Sequence, residues 1–303
     1  MTGLAAHDLL EVEWEPDTFR PCYFVAVDHA QRWIVVSIRG TVTKQDVLTD
    51  VCSRSETFLT GHAHSGIAAA AQLLHSRLAP VLADAFARFP TYRLVTIGHS
   101  LGAGTASLLA MLLRHDTSCS ALPAAARAVE CFAFAPPALA TLGLALECEP
   151  YVTTVVNGYD IVPRLCVANV DKLVWDLNEF GLLAQAIRGA SAMLGGRVSE
   201  AAARAGFSAK TALEERLQRA GKSSDALFPP GRVYQLWSDK AGPYAIRGTP
   251  PEYGTILVST AMIADHLPDV YSDAVRRLLA RLEADAAMEY TAPDRSGNPN
   301  KHL

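Results

Sequence analysis

Ile97-Gly98-His99-Ser100-Leu101-Gly102-Ala103-Gly104 follows the apolar run Arg93 to Ile97 and opens the small-residue stretch Ala103 to Arg114. A strand that ends at Gly-x-Ser-x-Gly and restarts at once as a helix must turn within about one residue. Glycines at 98 and 102 let the two segments pass that closely. The turn forces Ser100 into a strained backbone region and lifts its hydroxyl above the sheet at a helix N-terminus, where backbone N–H groups favour developing negative charge. The stretch thus predicts a strand-to-helix unit of an α/β fold and a candidate nucleophile on it.

The flanking chain continues the alternation. Strand-like runs fall at Cys22–Val27, Trp33–Ile38, Arg93–Ile97, Val129–Phe134, Tyr151–Val156, Val233–Trp237 and Thr255–Ser259, and helix-like runs at Gly66–Phe89, Ala103–Arg114 and Ser272–Met288. Strands interleaved with helices predict a mostly parallel central sheet covered by helices on both faces. Between Val170 and Phe228 the texture changes. Leu173, Leu177, Phe180, Leu183, Ile187, Ala190 and Leu194 recur at three- and four-residue steps, and the Ala/Arg/Glu-rich run Ser199 to Ala220 follows. This predicts a helical insertion over 170–228, a lid or cap on a single domain spanning 1–303. The polar end, Thr291 to Leu303, reads as a disordered tail.

Composition narrows the function classes. Half the 303 residues are apolar, 19% are charged and the formal net charge is -4, so no extensive basic surface for nucleic acid is implied. The N-terminus carries His7, Asp8 and glutamates where a signal peptide needs a positive start and an apolar run. The longest uncharged apolar run, Cys131 to Leu146, contains Pro136 and Pro137 and falls short of the about 20 residues a membrane span needs. A cytoplasmic protein without a transmembrane segment is expected. Six cysteines without a C-x-x-C pair read as free structural thiols.

A serine hydroxyl is a weak nucleophile at neutral pH and needs a base, which in turn needs an acid to fix its tautomer and stabilise its positive charge. In a fold with this elbow the chain order is Ser, Asp or Glu, His. After Ser100 the histidines are His115, His266 and His302. His115 ends the elbow helix, a helix length from Ser100, and His302 lies in the tail. His266 follows the expected strand Thr255–Ser259 and precedes the last helix, so it is the candidate base. His99, beside the serine, is read as a packed histidine of the elbow. For the acid, Asp160 lies just past the expected strand Tyr151–Val156, at the end of a parallel strand where such sheets place function. Asp171 and Asp176 compete, but they fall in or beside the insertion, on what reads as a solvated helix face. An oxyanion needs two backbone donors, expected from Leu101 and from the loop Arg39-Gly40-Thr41, with Thr41 as donor.

With these residues in hand, the sequence resembles the class 3 lipase family, and within it the sn-1-specific diacylglycerol lipases. The marks are Arg20-Pro21-Cys22-Tyr23-Phe24-Val25-Ala26-Val27-Asp28-His29, Ile38-Arg39-Gly40-Thr41, Gln45-Asp46-Val47-Leu48-Thr49-Asp50, His64-Ser65-Gly66, the elbow, Phe132-Ala133-Phe134-Ala135-Pro136-Pro137 and Asp160-Ile161-Val162-Pro163-Arg164. The resemblance covers most of Phe19 to Arg164 and resumes around Asp265 to Ser272; the insertion 170–228 has no counterpart in it. It implies an α/β-hydrolase fold with Ser100, Asp160 and His266 as nucleophile, acid and base, and Thr41 in the oxyanion loop. It implies hydrolysis of glycerolipid acyl esters, foremost diacylglycerol to monoacylglycerol and fatty acid, without a metal or organic cofactor. Phospholipase A1, galactolipase or short-chain carboxylesterase activity on the same residues is the alternative, and a non-catalytic lipid-binding protein the remote one. Contact with a membrane or lipid droplet surface is a further expectation, suggested by the basic excess of the insertion.

Overall fold

The computed structural model describes residues 4–15, 21–40, 55–115, 122–179 and 226–291. The chain starts as an antiparallel meander, β1 (Leu9–Glu13), β2 (Tyr23–Asp28) and β3 (Trp33–Ile38). The period-2 pattern sets which side of β3 is covered: Ile34, Val36 and Ile38 are buried, whereas Trp33, Val35 and Ser37 are half-buried. A hairpin of β4 (Ser55–Phe58) and β5 (Gly61–His64) then leads into α1 (Ser65–Arg88).

The elbow unit comes next, β6 (Arg93–His99) and α2 (Leu101–His115), followed by β7 (Glu130–Phe134), the short β8 (Ala140–Thr141), α3 (Leu142–Glu147) and β9 (Val152–Asn157). After α4 (Val167–Glu179) the described chain resumes with β10 (Leu227–Phe228), β11 (Arg232–Asp239) and β12 (Gly242–Gly248), and ends in α5 (Pro268–Thr291). The main sheet has the order β1-β2-β3-β6-β7-β9-β11-β12. Its centre, β3-β6-β7-β9-β11, is parallel and both margins are antiparallel. This is the mostly parallel α/β-hydrolase sheet expected.

The core lies between this sheet and α1 and α2. On α1, Ile67, Ala71, Leu74, Leu78 and Leu82 recur at three- and four-residue steps and are all buried. From Gly102 to Met111 every residue of α2 is buried, because α2 lies against both the sheet and α1. Its two hydroxyls avoid an unpaired burial by bonding back one turn, Thr105 to the Leu101 carbonyl at 3.0 Å and Ser107 to that of Ala103 at 2.8 Å. Four buried cysteines, 22, 131, 148 and 166, are free thiols. Among the described residues, no helix is long and apolar enough to cross a membrane.

The structure departs from the sequence reading at several points. Thr255–Ser259 is not a strand. Beyond β11 the chain turns straight back as β12, which takes the sheet edge, and Pro250-Pro251 then start a 3-10 turn over Pro250–Tyr253. The position beside β11 is thus already taken when the chain reaches 255–259. Instead the Thr255 carbonyl accepts from Arg164 at 3.2 Å, and Ile256 packs on Ile161 and Val162. A second antiparallel sheet, β10-β8-β5-β4, was not expected. The insertion 170–228 begins inside α4 and ends in β10, and its residues 180–225 lie outside the described ones, as do 292–303 of the expected tail.

Candidate active site

The elbow turns as its glycines require. Ser100 has φ +58°, a left-handed conformation that side chains rarely adopt. A Cβ on Gly98 would collide with the Gly102 backbone, and one on Gly102 with the Ile38 carbonyl oxygen of β3. Strand, turn and helix are thus packed backbone to backbone. Ser100 is held by its N–H donating to the Phe134 carbonyl at 2.9 Å and its carbonyl accepting from Gly104 N–H at 3.1 Å.

Two further loops meet it. Asp160 follows β9, and His266 precedes α5 by two residues. His266 Nε2 lies 2.9 Å from Ser100 Oγ, and its Nδ1 lies 3.0 Å from each Asp160 carboxylate oxygen. A carboxylate only accepts, so Nδ1 carries the proton and Nε2 offers its lone pair to the serine hydroxyl. The acid is fully enclosed, whereas the His266 side chain keeps 16% of its surface exposed. Ser100 and Asp160, sixty positions apart in the chain, are therefore each within hydrogen-bond reach of His266, on opposite sides of its ring.

Several positioning residues escaped the sequence reading. The Tyr271 hydroxyl donates to Asp160 Oδ2 at 2.5 Å and accepts from the Asn157 N–H at 2.9 Å, while Val162 N–H donates to Asp160 Oδ1 at 2.9 Å. Burial and the Asp160 charge push the Tyr271 phenol well above its usual range, so it stays a donor. Asn157 Nδ2 donates to the Asp265 carbonyl at 3.2 Å, and Tyr159 N–H donates to the Asp265 carboxylate at 2.7 Å. Gly158, at φ +48°, packs directly on that carboxylate. Arg164 donates to the carbonyls of Glu252 at 2.7 Å and Thr255 at 3.2 Å and lies over the Tyr253 ring, tying the loop before His266 to the loop after Asp160. Val162 and Arg164 stand in the quoted stretch Asp160–Arg164, which does not show their partners; the others have no motif or spacing of their own.

The other candidates fall as follows. His99 Nε2 sits 3.0 Å from the His266 carbonyl, and its ring packs against those of His266 and Tyr271. Burial, aided by the neighbouring His266, pushes its imidazole down to about 4, so it is neutral at physiological pH and donates through Nε2–H. Leu101 is the first residue of α2, beside the nucleophile. Thr41 lies outside the described residues; Gly40 before it lies against His99 and Ser100. His115 ends α2 beside Glu147 at 3.4 Å, Asp171 and Asp176 lie along α4, and His302 lies outside the described residues. Among the described residues no cluster of three or more His, Cys, Asp or Glu side chains has the arrangement of a metal site.

Ser100 and His266 open on a cavity of about 1180 Å³ whose lining includes Phe24, Ile97, Phe134, Val162 and Leu279. Residues 35–170 match the model of the family described as Lipase (class 3). Diacylglycerol lipase-beta of Mus musculus is 31% identical over 92% of this chain and 47% of its own length. Diacylglycerol lipase-alpha of Homo sapiens is 28% identical over 91% of this chain and 29% of its own. The chain thus spans less than half the length of these relatives. Among solved structures, the Rhizomucor miehei lipase propeptide complex aligns with a TM-score of 0.55 at 16% identity, covering 86% of this chain and 68% of that one. A lipase from Rhizopus microsporus var. chinensis aligns with a TM-score of 0.54 at 17% identity, covering 86% and 72%. At that identity the two structures bear on the fold alone.

Proposed function

We infer that this chain is a class 3 lipase, a serine hydrolase that cleaves acyl esters of glycerolipids, with diacylglycerol converted to monoacylglycerol and fatty acid as the leading reaction. The observation that carries this reading is the hydrogen-bonded line from Ser100 Oγ through His266 to Asp160, opening on an apolar cavity. The diacylglycerol lipases that the chain resembles supply the substrate class.

In the proposed reaction His266 Nε2 takes the Ser100 proton as Oγ attacks the acyl carbonyl carbon. Asp160 holds the imidazole and stabilises its positive charge. Negative charge develops on the carbonyl oxygen, towards the N–H of Leu101 and the Gly40-Thr41 loop. The carbon–oxygen bond to glycerol then breaks, and His266 returns the proton to the leaving oxygen. Water, deprotonated by the same nitrogen, releases the fatty acid from Ser100. Leu257 and Val258, exposed in the loop before His266, are the groups we place at a lipid surface.

The test combines a fluorophosphonate probe with an ester panel of diacylglycerol, triacylglycerol, phospholipid and short-chain esters. Wild type is labelled and Ser100→Ala is not, and diacylglycerol is turned over fastest. Labelling that survives in Ser100→Ala overturns the nucleophile assignment. A panel led by phospholipid or butyrate overturns the substrate.

A further inference from the structure

Asp160 can serve His266 only if its carboxylate is aimed at Nδ1, and that aim is set by the turn Asn157-Gly158-Tyr159-Asp160 at the end of β9. The turn is held at successive peptide units. Gly158 N–H donates to the Leu236 carbonyl of β11 at 2.9 Å, one residue beyond the β9–β11 ladder, and Asp160 N–H donates back to the Asn157 carbonyl at 3.0 Å. The peptide between Gly158 and Tyr159 is gripped by side chains on both edges. Its carbonyl accepts from Gln235 Nε2 at 2.6 Å, and its N–H donates to the Asp265 carboxylate at 2.7 Å.

Gln235 stands on β11, opposite Val156 in the register, and is buried. A carbonyl only accepts, so the amide nitrogen faces Gly158 and the amide oxygen faces away. That oxygen accepts from the Tyr253 hydroxyl at 2.6 Å. Burial pushes the Tyr253 phenol up, so it stays a donor and fixes which way the amide points. Packing alone does not ask for an amide here. Val233, two positions back on the same face of β11, is fully buried in a cluster with Val156 and Tyr253, and an apolar side chain at 235 would need no partner. A buried amide is tolerated when both its ends are bonded, and two such bonds fix one arrangement of the groups they join. Here they join the 3-10 turn Pro250–Tyr253 to the peptide just before Asp160.

Resting on the ester-hydrolase reading above, we propose that Gln235 is a positioning residue of the reaction. From β11 it holds the peptide between Gly158 and Tyr159 by its carbonyl edge, opposite Asp265, and so sets the direction in which Asp160 reaches His266. Tyr253 acts through Gln235, by orienting its amide. Without that bond the peptide is free to rotate about the hold of Asp265, and the carboxylate it carries is displaced from Nδ1. A displacement of about 1 Å at a catalytic group can cost on the order of 100-fold in rate.

The test measures kcat and KM for 4-nitrophenyl butyrate, per folded enzyme by circular dichroism, in Gln235→Met and Tyr253→Phe, each alone and combined with Asp160→Asn. Methionine keeps the length of the side chain and removes both polar ends. Gln235→Met is expected to lower kcat about tenfold or more and Tyr253→Phe about fivefold, with KM within about twofold of wild type. Because both act through the acid, each factor should shrink to within about twofold in the Asp160→Asn background. A residue that only packs would lower kcat by the same factor in both backgrounds. Equal factors in the two backgrounds, a change confined to KM, or a kcat within about twofold of wild type in both single variants overturns the assignment. If Gln235→Met does not fold, Tyr253→Phe, which loses only a hydroxyl, decides by the same criteria. A wild type that does not hydrolyse the ester, or an Asp160→Asn enzyme as fast as wild type, sinks the underlying hydrolase reading and is told apart by that.

Discussion

Ser100 and His266 act in the proposed reaction as one unit, because the hydroxyl has no strong nucleophilic form without the imidazole. Ser100→Ala is expected to lower kcat by on the order of 10⁴ to 10⁶, and His266→Ala by a similar factor. The double variant should be no worse than either, and Asp160→Asn somewhat milder; steady-state kinetics on one ester checks all four. A double variant far below both singles would show that the two residues act separately. Tyr271→Phe strips a donor from the enclosed Asp160 carboxylate and an acceptor from the Asn157 N–H. It should cost about 1–3 kcal/mol in urea unfolding and lower kcat with little change in KM. A changed KM with an unchanged kcat would remove Tyr271 from the positioning of Asp160. His99 provides the pH dependence. Its imidazole titrates near 6.5 in the unfolded chain and at about 4 when folded, so its contribution to stability is complete above about 6.5 and is lost as the pH falls towards about 4. The fall in Tm between about pH 7 and about pH 4.5 should therefore be smaller in His99→Gln than in wild type. Equal falls would refute it.

At the level of elements, the site is a convergence of three loops that follow β6, β9 and the 249–265 segment. Side chains that have no part in the proposed bond-making tie them together: His99 to the His266 carbonyl, Asn157 to that of Asp265, Arg164 to those of Glu252 and Thr255. A tight joint is the passage of α2 over β3. In Gly102→Ala the new methyl meets the Ile38 carbonyl oxygen, and backbone cannot yield as a side chain would. The expected cost is about 1–3 kcal/mol in stability, with activity lost beyond what the unfolded fraction accounts for. Unaltered unfolding and activity would mean that strand and helix separate more freely than their packing implies.

Over the whole molecule, one large core between the sheet, α1 and α2 supports a site that stands on its margin. Leu74 and Leu108 are fully buried there. Leu74→Ala or Leu108→Ala should each lower stability by about 2–5 kcal/mol, while the folded fraction keeps its kcat. A kcat that falls in proportion to stability would show that core and site are coupled. The other face of the sheet, around Phe24, Ser37, Ile97 and Phe134, is only half-buried, and this is the side on which the cavity lies.

Local patterns in the chain sufficed for much of this. Short runs of apolar and β-branched residues mark β2, β3, β6, β7 and β9, three- and four-residue steps mark α1, and two glycines around Ser100 mark the turn, because each is a demand made by neighbouring residues on one another. The candidates Ser100, Asp160 and His266 could be chosen by chain order for the same reason. Other features depend on contacts between residues far apart in the chain. Thr255–Ser259 carries a strand-like pattern but finds no ladder, since β12 has already taken the edge beside β11. The short β8 and β10 pair across more than eighty residues, and nothing in either dipeptide announces the other. Tyr271, Asn157 and Asp265 carry no motif, and their partners become visible only once β9 and α5 are packed together. The cavity is of the same kind. Ser37 reads along the chain as an ordinary strand residue, and it comes to line the cavity in one row with Phe24 and Ile97 only through the registers of two different strand pairs.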